Sequence, residues 1–310
     1  MYATRVIKLD PPSTLPTPSI ADIAHHSKVS QRTSNVDPKM RVFAFLALSY
    51  AAMAHPVKES RLPTIVFTPG AWHGPWAFDA VRKNLEGHGY PTSAATLVSV
   101  GNLDPDVGMW EDAASIRTEL EGLIERGNEV VVVAHSYGGV PSSNAVKGLT
   151  VKDRVAEGKN GGVLMLVYLA SFAIPAGTSL EDGVGGVYPD WWNLTDGFLS
   201  PLRPQAIFYA DVEPAAATNA ISRLKPQPLK TVQDKSAFEP WGQGLQVGYI
   251  FTEQDQAIAV EAQRGMASQF PAGSFTISLN TSHSPFLSQP VALADAVEQA
   301  VKHAAANKST

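Results

Sequence analysis

The fold of this chain is decided by the stretch Val131-Val132-Val133-Ala134-His135-Ser136-Tyr137-Gly138-Gly139. A run of β-branched residues ends at a serine, and glycines follow where a helix is expected to begin. This order is typical of a nucleophile elbow, in which a buried strand turns sharply into a helix and holds one serine hydroxyl at the edge of a sheet. The usual elbow has glycine two residues before and after the serine, and here Ala134 and Gly138 occupy those positions. A buried strand followed by a glycine-rich turn is the alternative interpretation.

Length, charge and cysteine content limit what the chain can be. With 310 residues it can form one large α/β domain or two small ones and bury a substantial core, and nothing in the sequence requires a second domain. A formal net charge of -5 and a pI near 5.9 argue against nucleic acid as the main partner, which would require a basic face. The absence of cysteine excludes disulfides, thiolate metal sites and a cysteine nucleophile.

The first 54 residues differ in composition from the rest. Residues 1–39 are rich in Pro, Ser and Thr without an apolar period, so we expect a disordered or non-native upstream segment. Residues 40–54 combine a basic start, a short apolar core and an A-x-A end, a pattern typical of a secretory signal peptide. The apolar run is too short to span a membrane as a helix. We expect translation to start at Met40 and the mature protein to be secreted; an N-terminal helix of a cytoplasmic protein remains the alternative.

From about Arg61 the chain alternates short apolar runs with helical patterns. This alternation predicts an α/β fold with a mostly parallel central sheet and helices on both faces, occupying residues 61–305. The expected strands are Thr64–Thr68, Thr92–Val98, Glu129–Ala134, Val163–Ala170, Gln246–Thr252 and Ser274–Leu279, and the expected helices are Trp76–Glu86, Met109–Arg126, Gly139–Leu149, Val260–Gln269 and Pro290–Ala305.

The segment from about Pro175 to Gly244 interrupts this alternation. It is rich in Pro and Gly and shows no firm strand, so we interpret it as a lid inserted between strands of the sheet. Its aromatic residues are expected to roof an apolar pocket, or simply to attach the insertion to the body of the domain. The residues assigned to this lid or pocket are Trp72, His73, Trp191, Trp192 and Phe198.

A serine hydroxyl needs a base to take its proton and a carboxylate to orient that base. In a fold with this elbow the chain order is serine, acid, histidine. His283 follows the last expected strand, and Asp255 follows the strand before it, so both would lie at the same sheet edge as Ser136. We expect Asp255 to be the acid and keep Glu253 as the reserve. The alternative roles are a surface histidine and a helix-capping aspartate.

Stabilising the oxyanion of acyl transfer requires backbone N–H donors. The N–H groups of Tyr137, at the start of the elbow helix, and Ala71, in the loop after the first strand, are the candidates. The phosphate-binding patterns G-x-x-x-x-G-K-[ST] and G-x-G-x-x-G and the zinc pattern H-E-x-x-H do not occur in the sequence. We therefore expect no metal and no cofactor.

Four motifs together resemble the α/β-hydrolase superfamily, within it the small single-domain branch of plant methylesterases and hydroxynitrile lyases and their bacterial and fungal relatives. They are Pro69-Gly70-Ala71-Trp72-His73-Gly74-Pro75-Trp76, Ala134-His135-Ser136-Tyr137-Gly138-Gly139, Phe251-Thr252-Glu253-Gln254-Asp255 and Ser282-His283-Ser284-Pro285-Phe286. Pro69 stands where many relatives have histidine. The resemblance to hydroxynitrile lyases would imply threonine in place of Gly70 and lysine in place of Ser284, and neither is present.

The motifs predict a serine hydrolase acting on a small, fairly apolar carboxylic ester or lactone through an acyl-enzyme. The expected partner is this small molecule, with no nucleic acid and no stable membrane insertion; the sequence leaves the oligomeric state undetermined. One alternative is a lyase, cyclase or acyl transferase of secondary metabolism on the same fold. Another is a ligand-binding protein with little turnover.

Overall fold

The computed structural model of the protein describes residues 61–308. The predicted upstream segment, residues 1–39, and the signal-like segment, residues 40–54, lie outside the described residues. No helix in the described range is both long and apolar enough to cross a lipid bilayer.

The core of the domain is a six-stranded sheet. Its strand order is β2-β1-β3-β4-β8-β9, and each pair of neighbours runs parallel, as the alternation of strands and helices predicts. The carboxyl ends of its strands therefore all meet at one edge. The strands are β1 Thr64–Thr68, β2 Thr92–Ala94, β3 Glu129–His135, β4 Gly162–Leu169, β8 Gln246–Thr252 and β9 Phe275–Leu279.

Alternate residues of β3 point to opposite faces of the sheet, and each face has its own apolar core. Val130 and Val132 pack with the helix Met109–Ile124, whereas Val131 and Val133 pack with the helices on the other face. Because both faces are covered, residues 130–134 of β3 are all apolar rather than alternating between apolar and polar. The helices of the domain body are Asp79–Gly87, Met109–Ile124, Gly139–Ala145, Val151–Ala156, Val260–Ala267, Pro285–Ser288 and Pro290–Ala306, with short 3₁₀ turns at Pro75–Phe78 and Ser136–Gly138.

The expected elements agree with the structure except at a few boundaries. The second strand ends at Ala94; residues 95–97 are irregular, and a turn begins at Val98. The elbow helix ends at Ala145 rather than Leu149, and a separate short helix, Val151–Ala156, follows it. Thr150 starts that second helix because its hydroxyl accepts a hydrogen bond from the Asp153 N–H at 3.0 Å.

The insertion between β4 and β8, residues 175–244, is called the cap here. Contrary to the sequence-based expectation, the cap contains a small antiparallel sheet of order β5-β6-β7. These strands have only two to four residues, so they carry little apolar periodicity for a sequence to display. The elements of the cap are β5 Trp192–Thr195, β6 Phe198–Pro201, β7 Gln227–Pro228, the helices Leu180–Gly183, Pro204–Phe208, Pro214–Ser222 and Lys230–Gln233, and a 3₁₀ turn at Pro240–Gln243.

A local signal for the hairpin β5–β6 was present in the sequence. Asp196 and Gly197 form its two-residue turn, with φ angles of 51° and 82°. Asp-Gly is a preferred pair for such turns because both central residues need positive φ. The dipeptide thus indicates a hairpin that the surrounding short strands do not reveal.

The close packing after β3 makes a test of the fold possible. A Cβ at Gly138 would lie 2.3 Å from the carbonyl oxygen of Pro69, which is a backbone atom with no room to move. We expect Gly138→Ala to lower the free energy of unfolding by roughly 1–3 kcal/mol, the usual cost of overpacking. The measurement is urea denaturation followed by circular dichroism.

The matched control is Gly122→Ala in the last turn of the helix Met109–Ile124. A Cβ there would meet no atom within 4 Å, so the substitution should stabilise the protein by up to about 1 kcal/mol through helix propensity. Equal stability changes in the two variants would contradict the packing account.

Candidate active site

Three chain segments meet where the parallel strands end. Ser136 directly follows β3, Asp255 lies three residues after β8, and His283 lies four residues after β9. The loop after β1, beginning at Pro69, reaches the same edge. In open parallel sheets this edge is where ligands bind.

Ser136 occupies a strained and crowded position. Its φ angle is 52°, in the left-handed region that residues with a side chain rarely adopt. A Cβ on Gly70 would lie 2.9 Å from Cβ of Ser136, so only glycine lets the loop after β1 approach so closely. The carbonyl oxygen of Ser136 accepts hydrogen bonds from the Phe172 N–H and the Ser171 hydroxyl. Its hydroxyl stays unpaired within residues 61–308.

His283 is paired with Asp255 in the interior of the protein. Nδ1 of His283 lies 2.7 Å from Oδ2 of Asp255, and both residues are buried. Thr252 and Gln263 donate to the same carboxylate oxygen, at 2.8 and 3.0 Å. The other oxygen accepts from two backbone N–H groups, those of Ala257 at 2.7 Å and Ile258 at 2.9 Å. Four donors besides the imidazole therefore hold the carboxylate in place and aim it at His283.

The structure separates the two carboxylates that follow β8. Glu253 points outward and forms an ion pair with Arg264, at 2.6 Å, whereas Asp255 faces His283. The hydrogen bond to the imidazole thus comes from the preferred residue and not from the reserve.

Two backbone N–H groups border the same cavity as the Ser136 side chain. Tyr137 is the second residue of a short 3₁₀ turn, where an N–H has no acceptor within the helix. Ala71 lies in the loop that presses against Ser136, and no hydrogen bond from its N–H is formed within residues 61–308. Both donors are available to a group bound beside the serine.

The cavity over Ser136 is narrow and apolar. Its volume is about 40 Å³, room for about three water molecules when each needs roughly 10–15 Å³. No residue in its described wall carries a formal charge, and the polar side chains there include Gln227, whose two ends bond to Trp72 and Thr231. Trp72, Trp191 and Trp192 form much of the wall, with ring centroids 5.8 to 6.3 Å apart.

Two residues assigned to the pocket from the sequence lie elsewhere, which corrects that part of the prediction. Phe198 is in β6, where Leu199 turns inward and is fully buried, so the alternation of the strand directs Phe198 to the opposite side. His73 lies behind the loop after β1, and its ring bonds to Ala71 and to Tyr209 of the cap.

Two histidines near Ser136 are buried and are held neutral. Burial is the main cause that lowers the pKa of His73 from 6.5 to about 4. Burial also lowers the pKa of His135 well below its ordinary value, and the nearby His283 adds to the effect. Nε2 of His135 donates to the carbonyl oxygen of His283 at 2.9 Å, which ties the residue before the serine to the histidine loop.

Sequence reasoning missed a polar network beneath Tyr137. The Tyr137 hydroxyl donates to Asp112 at 2.7 Å, and Ser99 donates to the same carboxylate from both its hydroxyl and its N–H. Burial raises the pKa of Asp112, while these hydrogen bonds counteract the rise. The only signal was an aspartate in the first turn of an amphipathic helix, a position that usually indicates interaction with the helix dipole.

The cap is attached directly to the histidine loop. Asp211 accepts hydrogen bonds from the N–H and the hydroxyl of Ser282, the residue before His283. The described range contains no cluster of three or more histidine and acidic side chains suited to a metal ion.

Comparisons with known proteins identify the family of the chain. Residues 65–296 match the model of the Alpha/beta hydrolase family. The chain is 30% identical over 248 residues to alpha/beta hydrolase nvfD of Aspergillus novofumigatus, which covers 78% of this chain and 96% of that protein. It is 24% identical over 246 residues to pFDCC methylesterase MES16 of Arabidopsis thaliana, covering 74% and 90%. The structure of a pyrethroid hydrolase from Sphingobium faniae JZ-2 matches with a TM-score of 0.61 at 22% identity, covering 77% and 97%, and this likeness concerns the fold alone.

The neutral state of His73 predicts a pH dependence of stability. An unfolded chain protonates this histidine near pH 6.5, whereas the folded protein does so only near pH 4. Between these values the unfolded state binds more protons, so the free energy of unfolding falls as the pH is lowered, by about 3 kcal/mol from this group. His135 acts in the same direction.

The measurement is chemical denaturation at several pH values from 7 to 4, on the wild type and on His73→Asn. We expect the variant to lose part of the slope, because it lacks one titrating group. An identical pH dependence in both proteins would show that His73 is not held neutral.

Proposed function

The chain belongs to the alpha/beta hydrolase family, and we propose that it hydrolyses a small, neutral carboxylic ester or lactone with Ser136 as nucleophile. The observation that carries this proposal is the buried, hydrogen-bonded pair of His283 and Asp255. The pair lies at the same sheet edge as Ser136, whose backbone is strained and whose side chain borders a cavity. Similarity to proteins named methylesterases supports ester hydrolysis as the general reaction.

In the first half of the proposed reaction, Oγ of Ser136 attacks the carbonyl carbon of the ester. Nε2 of His283 takes the hydroxyl proton, and Asp255, hydrogen-bonded to Nδ1, stabilises the imidazolium that forms. The carbonyl oxygen becomes negative and accepts hydrogen bonds from the N–H groups of Ala71 and Tyr137. Ser136 Oγ and His283 are not hydrogen-bonded in the structure, and catalytic hydrogen bonds of this kind often form only in the substrate complex.

The tetrahedral species then collapses. The bond to the alcohol oxygen breaks, His283 gives its proton to that oxygen, and an acyl group remains bonded to Ser136. In the second half water takes the place of the alcohol: His283 removes its proton, the water oxygen attacks the acyl carbon, and the acid is released as Ser136 recovers its hydrogen. None of these steps needs a metal or a cofactor.

The wall of the cavity supports a neutral substrate with a narrow reacting end. A charged substituent would lose its hydration beside indole rings and aliphatic side chains, with no opposite charge on the described wall to replace it. Gln227 offers little compensation because its amide already makes two hydrogen bonds inside the protein. The reacting end of the substrate must also be narrow, or the cap must move outward as it enters.

Replacing residues of the proposed triad should abolish turnover without unfolding the protein. For Ser136→Ala we expect kcat for a neutral methyl ester to fall by at least roughly 10⁴-fold, and for Asp255→Asn by roughly 10³- to 10⁴-fold. The control is Glu253→Gln, a half-buried carboxylate paired with Arg264 and turned away from His283, which should keep its activity. Undiminished hydrolysis by Ser136→Ala would refute the assignment. Products other than acid and alcohol would indicate a lyase or transferase, and tight binding without product would indicate a ligand-binding protein.

The uncharged cavity predicts discrimination against charged substrates. We expect a methyl ester of an arylacetic acid to be hydrolysed with a kcat/KM roughly 100-fold higher than the same ester carrying a ring carboxylate, because the carboxylate would be buried unpaired. Steady-state kinetics on the two esters measures this ratio of kcat/KM values. A third ester, with a neutral ring amide in place of the carboxylate, controls for the size of the substituent. Equal kcat/KM values would place the substrate outside this cavity.

A further inference from the structure

Trp72, which follows the proposed oxyanion donor Ala71, is held in a strained conformation by the cap. Its φ angle is 65°, a left-handed value that costs energy for a bulky residue. Three of its polar groups bond to cap residues: its N–H donates to Oε1 of Gln227 at 3.1 Å, its carbonyl accepts from the N–H of Lys225 at 3.1 Å, and its indole N–H donates to the carbonyl of Leu199 at 2.9 Å.

A second connection runs from the cap through His73. Nδ1 of His73 lies 2.7 Å from the carbonyl oxygen of Ala71, and Nε2 lies 2.6 Å from the hydroxyl of Tyr209. A carbonyl oxygen can only accept, so Nδ1 carries the proton and the Tyr209 hydroxyl donates to Nε2. His73 and Tyr209 are both buried, so water cannot replace either hydrogen bond. Burial also lowers the pKa of His73 and so favours the neutral ring that this chain requires.

We propose that the cap sets the geometry of the oxyanion hole, and that Tyr209, His73 and Gln227 are positioning residues for the Ala71 N–H. This inference rests on the proposed function and extends it to residues outside the triad. Tyr209 and His73 are not among the residues that line the cavity over Ser136, so they act through the loop and not on the substrate.

The backbone of the loop explains how the effect reaches the donor. The peptide that carries the Ala71 N–H has the Gly70 carbonyl at its other side, and that carbonyl accepts from the N–H of His73 at 3.3 Å. His73 therefore contacts both peptides that flank Ala71, one through its main chain and one through its ring. An oxyanion donor is effective only when its direction is fixed before the reaction, because a displacement of roughly 1 Å can cost about 100-fold in rate.

The test compares Tyr209→Phe with Tyr168→Phe in the full chain. Each substitution removes one buried hydroxyl, but the Tyr168 hydroxyl bonds to Ser143 in the helix Gly139–Ala145 and, within residues 61–308, not to the loop that carries Ala71. Kinetics are measured on a neutral methyl ester and on its thionoester, in which sulfur replaces the carbonyl oxygen. Sulfur is a weak hydrogen-bond acceptor, so the ester-to-thionoester ratio of kcat reports on the oxyanion hole. Active serine is first counted by fluorophosphonate labelling, and folding is checked by circular dichroism.

For Tyr209→Phe we expect kcat on the ester to fall roughly 10- to 100-fold, with KM within about twofold and a smaller ester-to-thionoester ratio. Tyr168→Phe should leave that ratio unchanged. Unchanged kinetics, or an equal loss on ester and thionoester, would overturn the proposal, because a general structural defect affects both substrates alike. Wild-type protein that takes up no fluorophosphonate would instead refute the proposed function itself.

A second variant keeps the test decisive if Tyr209→Phe folds poorly. His73→Asn keeps an N–H donor near the position of Nδ1, whereas His73→Leu has none. We expect His73→Asn to retain more of the ester-to-thionoester ratio than His73→Leu. We also expect Tyr209→Phe to have little further effect in the His73→Leu background, because its influence passes through the imidazole. Fully additive losses would contradict the chain of hydrogen bonds.

Discussion

The structure depends on the close contact between the loop after β1 and the turn after β3. Gly70 and Gly138 allow this contact, since a Cβ on either would collide with Ser136 or with the carbonyl of Pro69. The same contact places the N–H groups of Ala71 and Tyr137 on one cavity with the Ser136 hydroxyl. The strain at Ser136, with its φ of 52°, is tolerated because two packed cores hold β3 from both faces. Asp255 and His283 lie at the same edge, because they follow the parallel strands β8 and β9.

The cap covers this edge of the sheet and is also hydrogen-bonded to the loops around Ser136. Its residues bond to the loop at Trp72 and His73 and to the histidine loop at Ser282, so it contacts two of the segments that surround Ser136. A cavity with uncharged walls and a volume of about 40 Å³ lies between the cap and the sheet. Under the proposed function, specificity and rate would be coupled, because the segment that shapes the cavity also contacts the loop that carries the Ala71 N–H.

Much of the fold could be predicted because β-branched runs and helical periods are strong local signals. The strand Gln246–Thr252 has the predicted bounds, and the predicted α/β-hydrolase fold and the resemblance to plant methylesterases are confirmed by the family match and by relatives with those names. The sequence also placed Ser136, Asp255 and His283 at one edge, because the order of strands and motifs determines which residues follow each strand; their catalytic roles remain a proposal.

The cap could not be predicted in the same way. Its strands are too short to show a period, although Asp196-Gly197 indicates a turn. Tyr209 and Gln227 belong to no motif, and their partners are distant in the chain. Tyr209 contacts His73 across a separation of 136 positions, and Gln227 contacts Trp72 across 155 positions. The pocket roles expected for Phe198 and His73 failed because composition identifies aromatic residues but not the side of a strand or loop on which each ring lies.

Fluorophosphonate labelling followed by intact-mass measurement tests the central claim most directly, because the reagent reacts covalently with a serine that an adjacent base activates. The account predicts one adduct per wild-type molecule and none on Ser136→Ala. Folded wild-type protein without an adduct, or an adduct that persists on Ser136→Ala, would contradict it.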